Sequence, residues 1–175
     1  MSKHFKEIMN DITTFIFDVD GVLTDGTVHV AQDGNLLREM YIRDGYAMKT
    51  AIETGYNVFI ISGGSNDGVY KRFEKLGIKE IHLSVSNKVD TYKELLSKYN
   101  IDPSTVLYMG DDIPDYHVMH EVALPTCPQD AVQEIKRISK YVSHVNGGRG
   151  AVRDVIEQVM KTQQKWFQHF DAKFD

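Results

Sequence analysis

Short apolar runs recur along this chain, each followed by a longer amphipathic one, and that alternation leaves few folds open. Thr13–Phe17, Asn57–Ile61, Glu80–Leu83 and Thr105–Met109 read as buried strands, with weaker ones at Val122–Leu124 and Tyr141–Val142. Helical spacing fills the gaps over Tyr46–Thr54, Asp67–Leu76, Lys88–Tyr99, Asp115–Glu121, Ala131–Ile138 and Val152–Phe170. Gly55, Gly77 and Asn100 stand where helices end in a left-handed residue. Strands alternating with helices predict βαβ units, whose right-handed crossovers wind helices onto both faces of a parallel sheet. The expected architecture is α/β: a Rossmann-like, doubly wound, mostly parallel sheet. With 175 residues, 42% of them hydrophobic, the chain reads as a single domain over 1–175 that buries a core without staples.

One segment departs from the alternation. Thr27–Ala31 and Leu36–Met40 flank Gln32-Asp33-Gly34-Asn35, and Asp-Gly between two alternating runs predicts a projecting β-hairpin over about 26–41. Val28 and Val30 are expected to share one face, Leu36 and Met40 another. A lone hairpin is marginal in water, so it must lean on its own domain or on the hairpins of other subunits.

The first apolar run ends abruptly, as Phe15-Ile16-Phe17-Asp18-Val19-Asp20-Gly21. Carboxylates packed this closely repel, and they persist most comfortably around a cation. Three more polar groups follow later strands: Ser62-Gly63-Gly64, Lys88, and Gly110-Asp111-Asp112-Ile113-Pro114-Asp115. In a parallel sheet these strand ends share one edge, so residues far apart in sequence meet in one crevice. Singly, each has a bland reading: a turn or cap, a loop, a solvated lysine, an Asx turn. As an ordered set they suit phosphoryl transfer through an aspartyl-phosphate. Asp18 is the carboxylate nucleophile, and Asp20 the general acid for the leaving alkoxide and later the base for water. A hard divalent cation, Mg²⁺, would sit between Asp18 and the Asp111/Asp112/Asp115 group. Lys88 adds a second positive charge, and Ser62 with backbone N–H groups near Gly63 holds a phosphate oxygen.

Asp18-Val-Asp20-Gly-Val-Leu-Thr-Asp25, Ser62, Lys88 and Gly110-Asp-Asp-x-x-Asp115 resemble the four motifs of the haloacid dehalogenase-type phosphohydrolases. Arg43-Asp44-Gly45-Tyr46 and Gly147-Gly148-Arg149-Gly150-Ala151-Val152-Arg153-Asp154 extend the likeness to the small phosphatases of that family acting on 3-deoxy-D-manno-octulosonate 8-phosphate. The resemblance implies a Mg²⁺ requirement, a homotetramer built around the hairpins and a place in lipopolysaccharide precursor synthesis. It assigns Asp18 and Asp111 as direct metal ligands, Asp20 as a ligand through its carbonyl, and Asp112 or Asp115 as acting through water. Many relatives carry a cap domain. Here a hairpin, a helix and a strand already fill Asp20 to Ser62, and a helix and a strand fill Lys88 to Asp111. That leaves no room for a cap of ~50 residues. A site open to bulk water screens its charges, so closure by a neighbouring subunit is expected.

A sugar acid brings a carboxylate as well as a phosphate, and arginine's bidentate fork suits it. Arg43, Arg72, Arg149 and Arg153 qualify, with Lys49 and Lys75 behind them. Arg72 follows Ser62 on the next helix, where the resemblance places substrate contact; a solvated charge beside Lys71 is the plainer reading. Arg43 can touch substrate or pair with Asp44, and Arg149 can reach a site or anchor its loop. The Gly147–Gly150 run implies backbone that turns sharply or approaches something closely. Gly64 departs from the resemblance, which has Arg there or, in nonulosonate phosphatases, Glu. A nine-carbon keto-deoxy sugar acid 9-phosphate is therefore an alternative substrate. A catalytically silent binding module of this fold is another reading, against which stand the retained Asp18 and Asp20.

The net charge of -5 argues against nucleic acid as a partner. No apolar run approaches the ~18 residues of a membrane span, and Met1–Asn10, polar and mixed in charge, gives no expectation of a leader. The single cysteine, Cys127, leaves no disulfide framework, and a cytoplasmic location is expected. His117 and His120 read as decoration on one helix. The aromatic tail from Trp166 is expected to extend the last helix or reach towards a neighbouring site.

Overall fold

The computed structural model describes residues 4–166. A short helix α1 (Phe5–Met9) precedes β1 (Thr14–Phe17), the hairpin strands β2 (His29–Val30) and β3 (Leu36–Leu37), α2 (Ile42–Glu53), β4 (Asn57–Ile61), α3 (Asp67–Lys75), β5 (Glu80–His82) and α4 (Lys88–Tyr99). The chain continues through β6 (Val106–Met109), α5 (Tyr116–Glu121), β7 (Leu124–Cys127), α6 (Gln133–Ile138), β8 (Tyr141–Val142) and α7 (Ala151–Thr162), with single 3-10 turns at Pro103–Thr105 and Ile113–Asp115.

Six strands form one sheet in the order β5-β4-β1-β6-β7-β8, every pair parallel. The chain lays strands on one side of β1 and then crosses to the other, which puts the switch point at the tip of β1. β1, β6 and β7 are buried at every residue, as parallel strands covered on both faces must be. Side chains alternate between two cores. Phe15 and Phe17 join Val58, Ile60, Leu107 and Met109 against α1, α2, α3 and α7, while Ile16 joins Phe59, Ile61, Val106 and Tyr108 against α4, α5 and α6. Among the described residues no cap domain is inserted.

Outside the hairpin, three elements depart from their expected bounds by more than a residue or two. Helix α2 starts at Ile42 rather than Tyr46, because Asp44 turns inward and accepts the Arg153 N–H at 2.8 Å, drawing the first turn onto the start of α7. Strand β7 lies at Leu124–Cys127, not Val122–Leu124, and includes Pro125 inside the sheet. Pro125 withholds one donor, but its carbonyl still accepts from Lys140 at 2.9 Å. Helix α7 ends at Thr162 instead of running to Phe170; Gln164 adopts φ 58°, and the Lys165 N–H closes back on the Met160 carbonyl at 2.7 Å. The rest of that expected helix and its tail lie outside the described residues.

The hairpin forms as an antiparallel pair, shorter than its two flanking runs suggested, with His29 opposite Leu37 and Val30 opposite Leu36. That register puts Val30 and Leu36 on the same face, not on different ones as expected. Asn66 at the start of α3 donates to the Leu36 carbonyl at 2.9 Å and ties the hairpin stem to the domain. The glycine run near α7 makes the close approach its composition implied. A Cβ on Gly147 would lie 1.9 Å from the Gly21 carbonyl oxygen, so this loop clamps the backbone just past the first acidic pair.

Candidate active site

At the carboxyl edge of the sheet, side chains from four strand ends line one cleft of about 980 Å³: Asp18, Asp20, Ser62, Gly63, Lys88, Asp111 and Asp112 among them. Asp18 leaves β1 with its N–H on the Met109 carbonyl at 3.1 Å, which aligns it with the tip of β6. Its Oδ1 accepts the Val19 N–H at 2.7 Å, and its Oδ2 meets Lys88 Nζ at 2.9 Å. Lys88 opens α4, whose N-cap Asn87 accepts from the Val89 and Asp90 N–H groups, so helix geometry fixes the lysine stem. Its ammonium also reaches Asp115 Oδ1 at 2.7 Å. Asp115, fully buried at 0% exposure, accepts in addition from the Tyr108 hydroxyl at 2.7 Å and the Asp111 N–H at 3.1 Å.

The charges do not balance. One carboxylate oxygen from each of Asp18, Asp111 and Asp115 lies within 4.8 Å of the others. Three carboxylates face the single ammonium of Lys88, an excess of two negative charges. Burial raises Asp18 to about 6, with the Asp115 charge adding and Lys88 opposing. Burial first, and then Asp18, Asp115 and Asp112, push Asp111 up to about 8. Asp111 Oδ1 is buried with no hydrogen-bond partner. An orphaned carboxylate oxygen amid an excess of two negative charges is what a divalent cation with oxygen ligands would satisfy, so these residues fit Mg²⁺. Gly21 keeps the space open: it has φ 91°, and a Cβ there would lie 2.0 Å from Asp111 Oδ2.

Several sequence-predicted residues take other places. Asp112 stays on the cleft rim but is exposed and caps its own turn, accepting the Ile113 N–H at 2.8 Å. Arg72 packs against Gly45 and lines a separate groove with Leu37 and Arg38, away from the cleft. Arg43 lies over the Tyr41 ring at 5.9 Å and, with Arg149 and Arg153, lines a third groove. Arg149 anchors its loop, pairing with Asp25 at 3.1 Å. Lys49 is half-buried on α2 and does not line the cleft.

Other residues reach the site without a motif to announce them. Arg38, from the residue after β3, grips Asp20 with Nε on Oδ1 at 2.6 Å and a second nitrogen on Oδ2 at 3.0 Å. Tyr108 supports Asp115 from inside β6. His117 and His120 line the cleft wall instead of merely decorating α5. Their only sequence signal was closeness to the Gly110–Asp115 loop.

A parallel sheet with its switch point at an Asp-x-Asp strand tip, above a buried acid cluster bridged by lysine, is the arrangement of a haloacid dehalogenase-like hydrolase. The model of the haloacid dehalogenase-like hydrolase family matches residues 80–156. The 3-deoxy-D-manno-octulosonate 8-phosphate phosphatase of Salmonella typhi is 37% identical over 165 residues, covering 94% of this chain and 88% of that one. The crystal structure of the Yersinia pestis enzyme of the same name superimposes with a TM-score of 0.89 at 34% identity, over 91% of this chain and 86% of that one. The Moraxella catarrhalis enzyme, solved with magnesium ion, phosphate ion and KDO, gives a TM-score of 0.89 at 30% identity, over 92% of each chain. The chain belongs to the haloacid dehalogenase-like hydrolases, within the family of the 3-deoxy-D-manno-octulosonate 8-phosphate phosphatases.

Proposed function

We propose that this protein is a Mg²⁺-dependent phosphomonoesterase that hydrolyses 3-deoxy-D-manno-octulosonate 8-phosphate to the free sugar acid and phosphate. The observation that carries the reading is the orphaned Asp111 oxygen within an acid cluster reaching Asp18 at the switch point. It is supported by relatives that bear this activity in their names over nearly the whole chain.

Asp18, Asp111 and the Asp20 carbonyl would hold the ion, with Asp112 and Asp115 supporting it. An ion held there would supply positive charge against the phosphate and help to orient it for attack by Asp18. Asp18 attacks phosphorus while the ester P–O bond breaks, and Asp20 gives its proton to the departing alkoxide. Asp20, now a carboxylate, takes a proton from water; that water's oxygen attacks the aspartyl-phosphate and releases phosphate and Asp18. Lys88 adds a positive charge beside Asp18, and Ser62 with the N–H groups about Gly63 holds a phosphate oxygen.

The whole chain acts as one phosphatase domain. Arg43, Arg72 and Lys49 would meet a substrate carboxylate from outside the cleft of their own subunit, in keeping with a homotetramer closed by its hairpins. Val30 at 73% and Leu37 at 56% exposure support that assembly. No helix among the described residues is long and apolar enough to cross a membrane; we place the protein in the cytoplasm, serving lipopolysaccharide precursor synthesis. Comparing kcat/KM across eight- and nine-carbon keto-deoxy sugar acid phosphates tests the reading. The eight-carbon 8-phosphate is expected to lead by at least about tenfold, a margin of ~1.4 kcal/mol in transition-state binding; a lead for the nine-carbon 9-phosphate would reassign the substrate.

A further inference from the structure

We infer that Arg38 is the positioning residue of Asp20, and that Gly64 is glycine because this pairing needs the space. The inference rests on the reading of Asp20 as the proton-transfer group. The Arg38 side chain is only 6% exposed although it comes from the hairpin, the most solvent-exposed part of the fold. It is not a drifting surface charge. A third nitrogen contact, Nη1 donating to the Leu36 carbonyl at 3.1 Å, braces the guanidinium against its own strand. The stem of that strand is itself held by Asn66.

Arg38 does not line the main cleft, whereas Asp20 does. The guanidinium therefore stands behind the carboxylate and sets its position from the rear. Both Asp20 oxygens accept from a planar fork, which fixes distance and rotation together. No other side chain contact fixes Asp20 among the described hydrogen bonds. A Cβ on Gly64 would lie 2.7 Å from Asp20 Oδ2 and 3.3 Å from the Arg38 nitrogen. Any side chain there collides with the paired arrangement. Arg38 and Gly64 thus form one device, built from two distant segments, that presents a single carboxylate to the cleft. Arginine donates but never accepts. For Asp20 to hand over a proton, one of its oxygens must part from the fork, so the pairing sets the resting position from which proton transfer starts.

The closing experiment measures Arg38→Met, Arg38→Lys and Gly64→Ala, each alone and combined with Asp20→Asn. Substrates are the octulosonate 8-phosphate and p-nitrophenyl phosphate. Its nitrophenolate departs without a proton. Arg38→Met is expected to lower kcat for the alkyl ester about tenfold or more, a fraction of the 10²–10⁴ of general acid catalysis, with KM little changed. The loss with the aryl ester is expected to be smaller. Arg38→Lys restores part of the rate through one hydrogen bond, and Gly64→Ala reproduces the defect with the arginine still present. In the Asp20→Asn background neither change costs anything further, because both act through Asp20. Should Arg38→Met misfold, Arg38→Lys and Gly64→Ala carry the same comparison. An equal loss in both backgrounds, a change in KM alone, or an unchanged kcat would overturn the inference. Failure to cleave the sugar acid while p-nitrophenyl phosphate is cleaved would instead sink the substrate reading and leave this test intact.

Discussion

The cleft and the hairpin break the usual rule of burial in opposite directions. At the sheet edge, Asp18, Lys88 and Asp115 are charged groups taken out of water. On the hairpin and just after it, Val30, Leu37 and Ile42 are apolar groups left in water, at 73%, 56% and 71% exposure. Buried charge is costly unless paired, and contiguous exposed apolar surface marks a binding face. Each region is therefore incomplete, but in a different currency. The cleft lacks positive charge and the hairpin lacks apolar contact. A cation and a phosphate complete the first; a second copy of the same hairpin is the proposed partner of the other.

Removing the central acid gives the largest effect. Asp18→Asn should abolish turnover, by at least about 10³-fold, since no other group can accept the phosphoryl. Circular dichroism should show the fold intact, because the change removes one charge from a cluster already in excess. Residual turnover above that level would show that the buried acids serve structure alone. The metal comes next. Chelation by EDTA should silence the enzyme and Mg²⁺ restore it. In metal-free protein Asp18 and Asp111 keep their protons to about 6 and about 8, whereas an ordinary aspartate has 3.8. The folded state then binds more protons than the unfolded one. Stability is full below the unfolded value and drains away as pH rises through 6 and 8. Thermal scans from pH 5 to 8 should show Tm falling by roughly 5–10 °C without metal, and a much shallower slope with Mg²⁺. Asp44, raised to about 6 by burial, lies outside the cluster and leaves a small slope that metal does not remove.

The two regions were not equally legible in the sequence. Asp18, Ser62, Lys88 and Asp111 each sit at the tip of a strand or the first turn of a helix, and periodicity locates such points from local sequence. Topology then gathers them without further information. The hairpin turn was equally plain from Asp33-Gly34, but its pairing was overextended and its shared face misjudged, because two paired residues per strand leave the pattern little length to speak with. Arg38 was invisible for a different reason. Its role depends on the fold bringing the end of the hairpin back to Asp20, and nothing in Leu36-Leu37-Arg38-Glu39 distinguishes it from an ordinary solvated charge. Pro125 misled locally, since a proline argues against an interior strand. Tyr108 was legible as core but not as a hydrogen-bond donor to Asp115, which needs the register of β6 against the following loop.

The hairpin supplies the third test. Val30→Asp with Leu36→Asp places charges on one exposed face of the hairpin, where the two residues stand opposite each other, without touching the cleft. Light scattering should show the assembly falling to the mass of one chain, and kcat/KM should drop about tenfold as water reaches the site. A variant that stays assembled would move the interface elsewhere. A monomer with full activity would show that the cleft needs no neighbour.

The smallest effect is expected where charge meets water. Arg149 and Asp25 pair at 3.1 Å, but their side chains are 56% and 30% exposed. Asp25 is held below the usual carboxylate range chiefly by the hydroxyl and N–H of Thr27, with the charge of Arg149 contributing less. Solvent already satisfies both partners, so Arg149→Ala should shift Tm by only ~1–2 °C and leave kcat unchanged. The Gly147 clamp on the acidic loop is made by backbone and survives the substitution. A loss of kcat/KM with Tm preserved would mean that Arg149 meets substrate in a neighbouring subunit's cleft. It would then belong with Lys88 among the cations that complete a site, not with the surface pairs that water makes redundant.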